Sequence, residues 1–277
     1  MKTILFPTDF STTAFNAAHY AIHFAHQVKA EKIILYHAYQ TPVNVGADIV
    51  MPVSLLDIDT YREAAERGME GFKAQLLPEA GSLELETVTE YNLLVGGLDD
   101  LCKAHHIDLI IMGITGGGAL EETLIGSNAI SIAKHTTVPS IVVPPSSAFA
   151  TVRNVLLVSD FKQVEKITPA EPIKKILDDT AAALHILNIS NEDGEVTSEP
   201  SIESFTLQHL FKEYNPQFKL IHSPLFVESI NEYATEINAD LIVVIPKKHG
   251  LFDAIFKRSH TKMLAFHSHV PLMVVHK

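Results

Sequence analysis

Between Gly113 and Asn128 the chain reads GITGGGALEETLIGSN, directly after the apolar run DLIIM. A glycine beyond a strand either supplies a backbone angle that other residues resist or keeps a side chain out of a ligand's way. A plain strand-to-helix turn has no need of Gly116, Gly117 and Gly118 together. The next helical pattern opens near Gly126, with Ser127 and Asn128 in its first turn. Free N–H groups and the helix dipole favour an anion there, phosphate above all. Gly113 and Gly116 would let the loop backbone approach it, Gly126 would do so at the helix entrance, and the Ser127 hydroxyl would donate to an oxygen. Earlier in the chain, Pro7-Thr8-Asp9 closes the first apolar run. An ionised Asp9 only accepts hydrogen bonds, which suits ribose hydroxyls or an adenine amino group. The two common phosphate motifs do not fit. No Gly-Lys-Ser or Gly-Lys-Thr occurs, and the first strand is followed by none of the glycines of a dinucleotide fingerprint.

These residues need strands and helices to bring them together. Strand candidates in the first half are residues 3–8, 32–39, 83–92, 108–113 and 139–145, and in the second half 154–160, 183–190, 218–224, 240–246 and 271–277. Helical patterns lie between them, beginning with FNAAHYAIHFAHQV, where Ala17, Tyr20, Ala21, Phe24, Ala25 and Val28 recur at a helical period. Strands that are apolar on both faces and separated by helices predict parallel sheets with crossover helices. In such sheets a ligand binds outside the carboxyl ends of the strands, where the strand order reverses.

The halves are copies. Residues 108–143 slide onto 240–275 without a gap, with identities at Asp108, Leu109, Ile110, Gly118, Ser127, Ala133, His135, Val138, Pro139, Val142 and Val143. ILFPTDFS likewise aligns with VLLVSDFK, pairing Asp9 with Asp160. The expected fold is two tandem doubly wound, Rossmann-like α/β domains, 1–146 and 152–277, each a five-stranded mainly parallel sheet with flanking helices. A small polar linker at 146–153 joins them.

Composition excludes several classes of function. The 277 residues carry 21 Lys and Arg against 33 Asp and Glu, a net charge of −12, which repels a phosphate backbone and argues against nucleic acid. Cys102 is the sole cysteine, so no internal disulfide framework exists and a reducing compartment fits. The opening MKTILFPTDFS lacks the longer apolar core of a signal peptide, and no run reaches membrane-span length. The expectation is a soluble, cytoplasmic protein with no membrane partner.

The spacing of Gly113, Gly116 and Gly126-Ser127 after the fourth strand, combined with Pro7-Thr8-Asp9, resembles the ATP-binding members of the universal stress protein family. The resemblance covers essentially the whole chain as two repeats. It implies that Asp9 holds the adenosine, with Pro7 and Thr8 beside it in the binding set, that Ala38 lines the adenine pocket, and that Met112 flanks the nucleoside. Gly113, Gly116, Gly126, Ser127 and Asn128 would surround ribose and phosphates. It further implies ATP as ligand, with or without Mg2+, and last strands that pair between the two repeats, making an intrachain pseudo-dimer. A homodimer of whole chains is expected on top of that.

In the second repeat Ile245, Lys248 and Arg258 stand where Gly113, Gly116 and Gly126 stood, while Ser259 and Asp160 persist. Either this repeat no longer binds nucleotide, or its basic loop takes another small anion. His19, His23 and His26 share one face of the first helix, opposite its apolar stripe, and read as solvated rather than as metal ligands. His267 and His269 read as loop residues, and no nucleophilic constellation includes Cys102. Residues 40–78 read as an insertion whose first part is apolar and whose second part is an amphipathic helix. The functional expectation is a nucleotide-dependent stress or regulatory protein with slow or absent hydrolysis, since Glu121 and Glu122 lack a visible partner as water-orienting bases. An ATPase and a nucleotide-free dimeric scaffold are the other readings.

Overall fold

The inner strands form where apolar residues run almost continuously, because a strand covered on both faces needs no polar side. The computed structural model describes residues 1–40, 55–94, 96–114, 127–145, 147–190, 202–246 and 270–277. The first half runs β1 (Thr3–Pro7), α1 (Thr12–Gln27), β2 (Lys32–Tyr39), α2 (Leu55–Ala80), β3 (Glu84–Tyr91), α3 (Leu98–Ala104), β4 (Leu109–Gly113), α4 (Ser127–His135) and β5 (Ser140–Val143). The second runs β6 (Asn154–Val158), α5 (Val164–Ile167), α6 (Ala170–Thr180), β7 (Ala183–Ser190), α7 (Ile202–Leu210), β8 (Gln217–His222), α8 (Phe226–Glu236), β9 (Leu241–Val244) and β10 (Leu272–Val274).

All ten strands join one sheet in the order β3-β2-β1-β4-β5-β10-β9-β6-β7-β8. Each half is doubly wound, with strand order reversing between β1 and β4 and again between β6 and β9. The pairing expected of the last strands is present: β5 and β10 run antiparallel, with Leu272 opposite Val142 and Val274 opposite Ser140. One apolar layer takes residues from α1, α2, α6 and α7, the other from α3, α4 and α8, and each layer draws on both halves.

Several shared residues have a visible structural task. Asp108 accepts from the Lys2 and Thr3 amides at 2.6 and 3.2 Å, and Asp240 accepts from Arg153 and Asn154 at 2.8 and 2.9 Å. Each aspartate thereby ties the start of a fourth strand to the start of a first. Pro139 and Pro271 each offer a carbonyl to the fourth strand of their half, at Ile110 and Ile242. Some identity between the halves is therefore scaffold rather than site.

One expectation changes. Residues 55–80 are not part of an insertion: α2 is the crossover helix between β2 and β3, and only 41–54 lie outside the described residues. The polar linker, for its part, packs against α1. Asn16 donates to the Pro145 and Ser147 carbonyls, Gln27 exchanges two bonds of 2.9 Å with Val152, and Phe149 packs on Tyr20 and His23.

Candidate functional site

The reversal between β1 and β4 brings the Thr8–Phe10 turn beside Met112 and Gly113, with the N-terminus of α4 as the next described element of that crossover. Pro7 and Thr8 are buried, Asp9 is exposed, Ala38 and Gly113 are partly exposed, and Met112 is buried. Asn128 is exposed in the first turn of α4, whose first residue is Ser127. Gly116 and Gly126 lie outside the described residues, as do Glu121, Glu122, Lys248, Arg258, Ser259, His267 and His269.

The turn after β1 is held by bonds from its own residues and from β2. The Thr8 amide donates to the Tyr36 carbonyl at 2.8 Å, and the Thr8 hydroxyl accepts from the Phe10 amide at 3.0 Å. Asp9 accepts from the Ser11 amide through Oδ1 at 3.0 Å, so one of its oxygens already serves the turn. Ser11 then caps α1, accepting from the Ala14 amide. Phe10 sits at φ 63°, a conformation that bulky side chains resist.

His37 completes the cage and was not singled out in the sequence. Its Nδ1 lies 2.8 Å from the Thr8 carbonyl oxygen and its ring centroid 4.3 Å from that of Phe10. A carbonyl only accepts, so Nδ1 carries the proton. The one available signal was its place beside Ala38 at the end of β2, and that matters only once β2 lies against β1.

The second half repeats the cage residue for residue. Ser159 replaces Thr8, bonding the Leu187 carbonyl at 2.9 Å and the Phe161 amide at 3.3 Å. Asp160 accepts from the Lys162 amide at 3.1 Å, and Phe161 sits at φ 50°. Asn188 takes the place of His37, donating from Nδ2 to the Ser159 carbonyl at 2.9 Å. What differs is the filling. Ile189 stands at the position of Ala38 and Ile245 at that of Gly113, each only 7% exposed.

The remaining chemical candidates take structural roles. His19 and His23 are not merely solvated: both reach the Glu79 carboxylate near the end of α2, His23 at 2.6 Å, and His26 approaches the Glu79 carbonyl at 3.4 Å. Among the described residues, no group of three or more His, Cys, Asp or Glu is arranged to hold a metal ion. Burial, with a smaller contribution from Asp99, pushes the Cys102 thiol up to about 12, so it stays protonated and unreactive at neutral pH. No helix among the described residues is long and apolar enough to cross a membrane.

Comparison with known proteins agrees with this layout. A family model described as the universal stress protein family matches residues 1–144 and 222–276. Universal stress protein MJ0577 of Methanocaldococcus jannaschii is 31% identical over 155 residues, covering 51% of this chain and 94% of that protein. Universal stress protein MJ0531 of the same organism is 28% identical over 142 residues, covering 51% and 81%. The crystal structure of a universal stress protein from Archaeoglobus fulgidus, 20% identical, matches with a TM-score of 0.69 over 99% of this chain and 96% of that one.

Proposed function

The chain belongs to the universal stress protein family, and from that premise we propose that it is a nucleotide-dependent stress or regulatory protein binding one ATP, in its first half. The observation that carries the reading is the reversal point between β1 and β4, where an exposed Asp9 and a partly exposed Gly113 flank a crossover leading to the N-terminus of α4. Asp9, with Pro7 and Thr8, would hold the adenosine, Ala38 and Met112 would line its base, and Gly113, Gly116, Gly126, Ser127 and Asn128 would receive ribose and phosphates. Mg2+ would accompany the phosphates as their counterion.

The first domain, 1–146, carries this site, and the second, 152–277, is a scaffold copy whose mouth is filled by Ile189 and Ile245. Hydrolysis is slow or absent, because Asp9 spends an oxygen on its own turn and His37 its Nδ1 proton on Thr8. The protein acts in the cytoplasm by changing shape or assembly with ATP occupancy. A homodimer of whole chains would use a surface other than β5 and β10, which already pair with each other.

The test is calorimetric titration of the full chain with ATP, alongside the Gly113→Ile variant, which copies Ile245 of the second half. One site per chain is expected, with affinity lowered about tenfold or more in the variant, corresponding to at least ~1.4 kcal/mol. Two equivalent sites, or unchanged affinity in Gly113→Ile, would refute the placement. Single-turnover measurement of bound ATP then separates a binding protein from an ATPase.

A further inference from the structure

We propose that Pro7 holds the first reversal point open, and that Val158 closes the second, through the absence or presence of a single ladder donor. The proposal rests on the nucleotide reading above and names what gives that site its room.

Successive residues of a strand turn their N–H groups to opposite neighbours. The Thr8 amide points to β2, where it meets the Tyr36 carbonyl, so residue 7 faces β4. The same alternation turns Thr3 toward β4, and its carbonyl indeed accepts from Asp108 at 3.0 Å. Residue 7 is proline and has no N–H to give. Hydrogen-bonded pairing of β1 with β4 is confined to Ile4 opposite Leu109 and Leu5 opposite Ile110.

The second half supplies the control. There β6 pairs with β9 from Val155 opposite Leu241 through to Val158 opposite Val244. Val158 is the counterpart of Pro7, and the ladder reaches it. On the other side of the first strand the halves do not differ: β1 pairs with β2 up to Pro7, as β6 pairs with β7 up to Val158. The shortening is therefore confined to the β4 side, which is the side where the strand order reverses.

A nucleoside seated just beyond the ends of β1 and β4 gains room where those ends make no ladder bond. Where the ladder is complete, Val158 is paired opposite Val244 at the mouth, with Ile189 and Ile245 buried beside them. The polar framework of Ser159, Asp160 and Asn188 survives there, so it is the filled and fully laddered mouth that distinguishes the second half.

The test compares full-length Pro7→Val with wild type by amide hydrogen exchange without nucleotide and by calorimetry with ATP. In the variant the new amide at position 7 is expected to exchange slowly, within roughly tenfold of the Val158 amide in the same molecule. ATP affinity is expected to fall about tenfold or more. Exchange at the rate of an open amide overturns the proposal. Slow exchange with unchanged ATP affinity overturns it as well, since a closed ladder would then do no harm. A wild-type chain that binds no ATP overturns the nucleotide reading itself, and with it the role of the opening, while exchange at position 7 still decides whether proline ends the ladder. Pro7→Ala, which restores the N–H without a branched side chain, serves with the same outcomes if Pro7→Val fails to fold.

Discussion

At the scale of single residues, the turn after β1 must resist its own strain. A bulky residue in the left-handed region costs on the order of 1–3 kcal/mol, and Phe10 sits there at φ 63°. The hydroxyl of Thr8, the Oδ1 of Asp9 and the Nδ1 of His37 each supply one hydrogen bond to the turn. At about 0.5–1.5 kcal/mol apiece, together they outweigh the strain, and no one of them does so securely. His37→Leu should therefore loosen the turn and weaken ATP binding roughly tenfold, whereas His37→Asn should restore most of it, because Asn188 makes the same bond in the second half. Calorimetry on the three proteins checks this, and equal losses in the Leu and Asn variants would count against a positioning role. Asp9 stood out in the sequence because a carboxylate at the end of an apolar run is visible locally. His37 did not, since its meaning depends on β2 lying beside β1.

At the scale of elements, α2 is what covers the turn. Phe72 packs against Phe6, Phe10 and Phe15, with ring centroids 6.2, 5.9 and 5.0 Å away. Gly68 lies under Phe10 so closely that an added Cβ would meet Phe10 Cε2 at 2.8 Å, while a Cβ at Gly71 would meet nothing within 4 Å. Glycine costs a helix interior roughly 1 kcal/mol relative to alanine, so Gly71→Ala should stabilise the protein by about that amount. Gly68→Ala gains the same propensity but must displace a ring held between His37 and Phe72, an overpacking cost of about 1–3 kcal/mol. It should be neutral to destabilising by up to ~2 kcal/mol. Urea midpoints of the two variants moving in the same direction by the same amount would contradict the packing argument. Strand positions were legible in the sequence to within three residues, because most inner strands are nearly continuous apolar runs. The assignment of α2 was not, because the apolar, charge-poor stretch before it resembles an insert and hides the crossover that every parallel pair requires.

At the scale of the whole molecule, the duplication was legible from gapless identity, but its consequence for cooperativity was not. Two isolated domains joined by a polar linker would unfold separately. Instead, Ile141, Val142, Val143, Met273 and Val274 are fully or almost fully buried at the antiparallel seam, and both apolar layers contain residues from both halves. The linker lies along α1 through Asn16 and Gln27, and the Met1 amino group pairs with Asp179 of α6 at 2.5 Å. Exposing two or three of the seam side chains costs about 2 kcal/mol each, a large share of the ~5–15 kcal/mol that holds a typical protein together. Neither half should therefore open without the other. The wild-type chain is expected to unfold in urea as one transition, with slow-exchanging amides in β1 and β6 reporting the same opening free energy. Val274→Pro removes a donor from a strand paired on both sides, with β5 and with β9. In that variant the two sets of amides should diverge, the half that keeps its own core staying protected after the other exchanges. If β1 and β6 already differ by several kcal/mol in the wild-type chain, the halves fold independently and the seam is only a contact between them.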